Sequence, residues 1–280
     1  VYAAGRIVNG GLGDTISPKP FLTAGLALSA LCNLGMSLLP PSPVLYLLWG
    51  ANGFFQSMLW GAALCNVSAA YPGGTMVKRA SVILSASVGV GMLIGVVLPT
   101  LLAFWGLKEI FWVPGLLLLL LSFLLWLLLP NQNSRKKASN RVHFTCLRNP
   151  MVKKMLFPAM AHGAIKENLT MWAPLLFLEF YGLDLAHATF FIFLMPLATL
   201  LGRLLFPFWY RTCKNSERAT LISSFFVCAL ALLPFLFAKP SIWISGILLA
   251  VVSVTTSILN AELISIYPVN FQSENQVSTV

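Results

Sequence analysis

The sequence predicts an all-α, polytopic integral membrane protein, and three observations support this fold class. Hydrophobic residues make up 58% of the 280 positions, charged residues only 9%, and the mean hydropathy is +0.83. This composition lies outside the range of soluble domains. Apolar runs of about 20 residues, enough for a helix to cross a membrane, recur along the chain. Basic residues concentrate in alternate connections between those runs, as positively charged cytoplasmic loops do.

The apolar runs predict about nine membrane-spanning helices. The first ends near Gly13, and the others are predicted at 20–39, 43–70, 80–105, 109–129, 154–181, 185–210, 218–238 and 241–267. Breakers that separate them include "PPSP" at 40–43, "YPGG" at 71–74 and "AKPS" at 238–241. The chain opens inside an apolar run at Val1 and closes on the polar "FQSENQVSTV". We therefore expect a fragment that lacks one helix before it and two after it.

Charge placement predicts the orientation of the bundle. Thirteen of the eighteen Lys and Arg residues lie in alternate connections, whereas the connections between those hold only Lys108 and Lys239. The basic side is therefore predicted to be cytoplasmic, with lipid as the surrounding partner. The net charge of +10 is explained by this topology, so no nucleic-acid partner is expected. Three cations remain inside predicted spans: Arg6, Lys166 and Arg203.

The longest polar segment divides the predicted helices into two groups. We expect an N-terminal helical half at 1–129, a basic cytoplasmic linker at 130–153 and a C-terminal helical half at 154–280. Shifting the chain by 197 residues places "GRIVNGGLGDT" at 5–15 on "GRLLFPFWYRT" at 202–212. The same shift superposes the spans that follow, which predicts two parallel, pseudo-symmetric halves.

Catalytic and metal chemistry are not indicated. The five cysteines show no Cys-x-x-Cys spacing, and most fall in apolar runs or basic loops, as small packed hydrophobes do. We therefore expect a non-enzyme with no cofactor and no metal.

The stretch "MLFPAMAHGAIKENLTMWAPLLFLEF" at 155–180 holds the strongest candidate site. Lys166 lies about 18 Å into its helix, near the middle of the membrane, where charges are costly and usually functional. His162, Lys166 and Thr170 share one helical face, which predicts an anion site with a cation, a hydroxyl donor and an imidazole. Glu167 points about 100° away from Lys166. Alternatively, Lys166 and Glu167 satisfy each other or backbone carbonyls between helices.

Arg6 and Arg203 are related by the repeat and lie at equal height in their helices. Each is deep enough to border a central cavity and bind substrate, and each could instead reach headgroups or pair with acids.

"GGLGDTISPK" at 10–19 resembles the loop motif that follows the second helix of major facilitator transporters. Gly10, Asp14 and Lys19 match the motif in spacing, whereas Thr15 and Ser17 depart from it. The resemblance implies a conformational-switch motif and a bundle of which this chain holds about nine of twelve helices. A glycine permits close helix packing, and a carboxylate at helix ends accepts hydrogen bonds from a neighbour.

Within that superfamily the chain resembles the organophosphate:phosphate antiporters, which include glycerol-3-phosphate and hexose-phosphate transporters. The family pattern runs through "SPKPFLTAGL" at 17–26 and includes a basic residue at Arg6. "WAP" at 172–174 is similar to the family's Trp-Ser-Pro, and the resemblance places a substrate-binding position six residues earlier, at Lys166. This chain has Lys there instead of Arg, a point charge instead of a planar fork.

These expectations define a secondary transporter, taken as a monomer in a bacterial cytoplasmic membrane, that moves a small organic phosphate or similar anion by alternating access. Exchange for inorganic phosphate is the mode that the resemblance implies. One alternative is a proton-coupled carboxylate or sugar-acid symporter that uses His162 or Glu167. Another is a transporter-like sensor of sugar phosphates.

Overall fold

The computed structural model describes residues 1–71, 74–130 and 149–274, and these are helical throughout apart from short connections. The helices are α1 (Tyr2–Thr15), α2 (Pro18–Ser37), α3 (Ser42–Gln56), α4 (Leu59–Ala70), α5 (Gly74–Ala103), α6 (Glu109–Leu128), α7 (Pro150–Leu175), α8 (Leu185–Thr212), α9 (Glu217–Leu232), α10 (Pro234–Phe237) and α11 (Ile242–Asn260). The all-α prediction is confirmed. Most of the predicted linker, 131–148, lies outside the described residues.

Six helical segments in the described part of the chain are long and apolar enough to cross a membrane. They are Pro18–Ser37, Arg79–Ala103, Glu109–Leu128, His187–Thr212, Glu217–Phe237 and Ile242–Asn270. The predicted span 43–70 is broken into α3 and α4 at 57–58, so neither piece reaches that length. Helix α7 is 26 residues long but carries Lys153, Lys154, Lys166 and Glu167, which lower its hydropathy.

The helix ends support the internal repeat. Helix α1 ends at Thr15 and α8 ends at Thr212, which are 197 residues apart. Helix α2 begins three residues after Thr15, and α9 begins five residues after Thr212. The division into halves at 1–129 and 154–280 stays a prediction.

One compact unit comprises 1–80, 97–152 and 268–280. Helix α2 is central in it and packs against α3, α4 and α6. Its core includes Phe21, Leu26, Met58 and Ala62, all buried. Polar side chains link the helices: Ser122 Oγ of α6 donates to the Thr23 carbonyl of α2 over 2.9 Å. Such hydrogen bonds satisfy polar groups whose apolar surroundings offer them no other partner.

The second compact unit comprises 81–96 and 153–267, and therefore contains the middle of α5. Helices α8 and α11 are its closest pair. At Gly202 of α8 an added Cβ would lie 3.0 Å from Val254 Cα, 2.8 Å from Ser257 Cβ and closer still to the Val254 carbonyl oxygen. Only glycine therefore permits this approach of the two backbones.

Helices α7 and α11 both continue into π-helical turns, at Leu176–Phe180 and Ala261–Ile266. π-Helical turns are rare in proteins, but those that exist are often found at functional sites, because they re-orient side chains within a helix. The second of them starts directly after Asn260, and the first contains Phe177. Both residues belong to the cavity described next.

Candidate functional site

The second unit contains an open cavity of about 360 Å³. Its walls come from the middle of α5, from α7 and its π-helical turn, and from α8 and α11. Apolar side chains form most of the lining, among them Met92, Leu169, Ala173, Phe177, Phe191 and Met195. Polar side chains line the remainder: Lys166, Thr199, Arg203, Ser253, Thr256, Ser257 and Asn260. The cavity therefore brings together two of the three cations that the sequence places within spans.

Lys166 reaches this cavity from α7 and also contacts its neighbour in sequence. Its Nζ lies 3.1 Å from Glu167 Oε1, and 36% of the Lys166 side chain is exposed. The two residues start about 100° apart on the helix, but both side chains are long enough to meet. The ammonium thus combines an adjacent carboxylate with a place in the cavity lining, and its role in binding substrate stays a prediction.

Arg203 of α8 is the most deeply buried of these cations, with 3% of the residue exposed. Its Nη2 donates a hydrogen bond to Asn260 Oδ1 on α11. Nε and Nη1 have no hydrogen-bond partner within 1–71, 74–130 and 149–274. A buried guanidinium needs an anion or several acceptors to offset its lost hydration. This arrangement favours the entry of an anion.

His162 precedes Lys166 by one helical turn but is not part of the cavity lining. It is 4% exposed, and its Nε2 lies 3.1 Å from the Thr256 carbonyl oxygen of α11. A carbonyl can only accept, so Nε2 carries the proton in this contact. His162 therefore links α7 to α11 behind the cavity wall. The side chain of Thr170 lies outside the described side chains.

Arg6 belongs to the first compact unit, and its environment differs from that of its repeat mate. It is exposed, and its guanidinium lies 5.6 Å from the ring centre of Tyr2. A cation over an aromatic face is a favourable but modest interaction at an exposed position. A substrate role for Arg6 stays a prediction.

The motif residues Gly10, Asp14 and Lys19 occupy the same unit. Gly10 is buried within α1, and Asp14 Oδ1 lies 3.9 Å from Cys65 Sγ of α4. Lys19 is 8% exposed, and its Nζ donates to the Leu129 carbonyl over 2.6 Å. Leu129 is the C-terminal capping residue of α6, so the ammonium lies at the negative end of that helix dipole.

Sequence reasoning missed the apolar side of the cavity. Phe177 and Phe191 stack with ring centres 4.3 Å apart and planes at 12°. Asn260 makes a hydrogen bond between two helices and also lines the cavity. Hydropathy cannot separate a cavity-lining Phe from the many Phe residues that face lipid.

The fold and the cavity define a polytopic membrane protein with an internal cavity that two cations line. The chain belongs to the Major Facilitator Superfamily, whose family model matches residues 1–279. It is 28% identical over 127 residues to a probable hexose phosphate transport protein of Chlamydia muridarum. This match covers 44% of this chain and 27% of the relative. It is 27% identical over 134 residues to the glycerol-3-phosphate transporter of Bacillus subtilis, covering 45% and 30%.

These matches confirm the resemblance to organophosphate transporters inferred from the sequence. They are local, since each spans less than a third of the length of the curated relative. A second probable hexose phosphate transport protein, from Chlamydia trachomatis, is 27% identical over 127 residues.

Proposed function

We propose that this protein moves a small organic phosphate, or a similar small anion, across the membrane by alternating access, in exchange for inorganic phosphate. One observation carries the proposal: Lys166 and Arg203 line one cavity, and Arg203 is buried with Nε and Nη1 lacking partners among the described residues. Phosphate oxygens are acceptors that match both groups. The printed names of the relatives, hexose phosphate and glycerol-3-phosphate transporters, support the same substrate class.

Binding begins with the attraction of the anion to the two cations. The Lys166 ammonium has three donors and a flexible stem, so it can turn from Glu167 toward an incoming oxygen. Arg203 is held in place by Asn260, which leaves its remaining N–H groups for the ligand. Neutralising buried charge lowers the cost of excluding water, and closure around the bound anion becomes favourable. Phosphate on the opposite side then resets the carrier.

The proposal also covers the orientation of the protein in the membrane and its oligomeric state. The basic connections face the cytoplasm of a bacterium, and the carrier works as a monomer. Support comes from the distribution of Lys and Arg along the chain and from the bacterial sources of the relatives.

The test uses the intact protein in liposomes loaded with unlabelled phosphate. Wild type is expected to take up labelled phosphate, and Lys166→Ala and Arg203→Met to lose at least tenfold in exchange rate. Lys154→Ala on the same helix is the matched control, because Lys154 is exposed and does not line the cavity. Thermal melting confirms that each variant is folded. Absence of exchange by folded wild type refutes phosphate antiport.

A second candidate is proton-coupled uptake of a carboxylate or sugar acid, favoured by the contact of Lys166 with Glu167. Protonation of Glu167 removes its charge and releases the Lys166 ammonium for an anion. Under this candidate an inward proton gradient drives uptake without internal phosphate, and Glu167→Gln uncouples uptake from pH.

A further inference from the structure

The cavity beside Lys166 has one charged end and a long apolar wall. Lys166 and Arg203 provide the charge, whereas Leu169, Ala173 and Met195 belong to the apolar part of the lining. A ligand that fits must satisfy both parts at once. Its anionic group belongs beside the cations, and the remainder of the molecule contacts the wall.

Three of the hydroxyl groups of this lining already donate their hydrogens to other protein groups. Ser257 Oγ donates to the Thr199 carbonyl over 2.7 Å, and Thr256 Oγ1 donates to the Val252 carbonyl over 2.8 Å. Ser253 Oγ donates to Met195 Sδ over 3.3 Å. A sugar needs donors and acceptors around its ring, and these groups offer no free donors. Polyol hydroxyls buried here would exchange hydrogen bonds to water for apolar contacts.

The apolar wall is also preorganised. Phe177 and Phe191 are almost completely buried and stack against each other at 4.3 Å. Each therefore keeps one orientation, and the two rings support the more accessible side chains of the wall, so that the wall is ordered before a ligand arrives. Met195 adds an adaptable, polarisable side chain that packs well against aromatic groups.

We infer that the carried anion has a compact apolar organic group, aryl or short alkyl, rather than the polyhydroxylated group of a sugar phosphate. This inference rests on the proposed function and narrows its substrate class. A cavity of about 360 Å³ lies at the small end of ligand sites, which fits a molecule of the size of phenyl phosphate. The wall disfavours sugars because their hydroxyls lose hydrogen bonds to water against it.

The experiment measures competition in liposomes that carry the intact protein. Phenyl phosphate, glucose 6-phosphate and glycerol 3-phosphate compete with uptake of labelled phosphate. Phenyl phosphate is expected to reach half-inhibition at a concentration at least tenfold lower than glucose 6-phosphate. Equal or better competition by glucose 6-phosphate overturns the inference, while phosphate exchange itself still supports the proposed function.

Ligand binding is measured separately from transport, so that failure of the proposed antiport can be distinguished from failure of the apolar-group inference. If no phosphate exchange occurs, the proposed antiport fails. Thermal melting of the detergent-solubilised protein then tests whether the cavity prefers a ligand with an apolar group. Phenyl phosphate is expected to raise the melting temperature at lower concentrations than glucose 6-phosphate does. A larger shift with glucose 6-phosphate refutes the apolar-group inference in that case.

A matched pair of substitutions tests the wall directly. Met195→Gln places an amide of similar size in the lining, whereas Met151→Gln makes the same change at an exposed position outside it. The ratio of the inhibition constants of phenyl phosphate and inorganic phosphate is expected to rise at least fivefold for Met195→Gln. It is expected to stay constant for Met151→Gln. A constant ratio in both variants contradicts a role for the wall.

Discussion

Asn260 of α11 accepts a hydrogen bond from the buried guanidinium of Arg203 on α8. The two residues are 57 positions apart in sequence and are joined across the closest helix pair of their compact unit. An amide oxygen orients the guanidinium without neutralising it, because it carries no net charge. The arginine therefore keeps its charge available to a ligand.

Asn260→Asp is expected to lower the affinity for phosphate at least tenfold. The new carboxylate pairs with Arg203 and takes the place of the anion. The variant is also expected to melt at a higher temperature than Asn260→Leu, which leaves Nη2 without its acceptor. Phosphate titrations of the solubilised protein measure the affinity, and thermal melting measures the difference in stability. Unchanged affinity in a folded Asn260→Asp protein contradicts the role of Arg203.

Gly202→Ala is expected to destabilise the protein by about 1–3 kcal/mol, because its Cβ would overlap the backbone of α11. Gly163→Ala on α7 is the matched control, since nothing lies within 4 Å of a Cβ there. That change is expected to stabilise by about 0.5–1 kcal/mol through helix propensity. Thermal melting of both variants checks the prediction. Equal effects of the two substitutions would show that α8 and α11 are less closely packed.

Lys19→Gln is expected to cost about 1.5–3 kcal/mol of stability, the usual contribution of a hydrogen bond to a charged group. The substitution removes the cation from the C-terminus of α6 and the 2.6 Å hydrogen bond to Leu129. Lys154→Gln, at an exposed lysine of α7, is expected to change little. Chemical denaturation of the purified protein distinguishes them. Similar midpoints for both variants argue against a capping role.

Asp184 precedes α8, and its carboxylate accepts hydrogen bonds from the backbone and the ring of His187. The hydrogen bond from the His187 side chain lowers the pKa of Asp184. The hydrogen bond to the Asp184 carboxylate therefore stabilises the folded protein above the pKa of an unfolded Asp, about 3.9. This stabilisation is lost as the pH falls through the lower pKa of the folded state.

His187→Ala is therefore expected to raise the pKa of Asp184. Carboxyl ¹³C resonances measure it, and the Asp184 resonance is assigned by its loss in Asp184→Asn. An unchanged Asp184 midpoint in His187→Ala would mean that the contact with the ring does not form in solution.

Hydropathy and breakers predicted most helices closely, since apolar length is a local property of the chain. The span expected at 109–129 is Glu109–Leu128, and the one expected at 185–210 is Leu185–Thr212. The break at 57–58 was not predicted, because "QSML" contains neither Pro nor Gly.

The candidate site was only partly predictable. Arg6 and Arg203 occupy equivalent positions of the repeat, yet one is exposed beside Tyr2 and the other is buried beside Asn260. The difference comes from the neighbouring helix, which a sequence pattern does not contain. Likewise, the helical face shared by His162 and Lys166 predicted one site, whereas a carbonyl on α11 holds His162 away from it.

The backbone contact at Gly202 adjoins Arg203 directly. Main-chain atoms in contact tolerate less displacement than side chains, so the height of the cation along α8 is fixed by the adjoining peptide groups. A related chain that retains this geometry needs glycine and arginine in succession on one helix and asparagine on its partner. That three-residue signature can be searched for in chains of the superfamily whose overall similarity to this one is low.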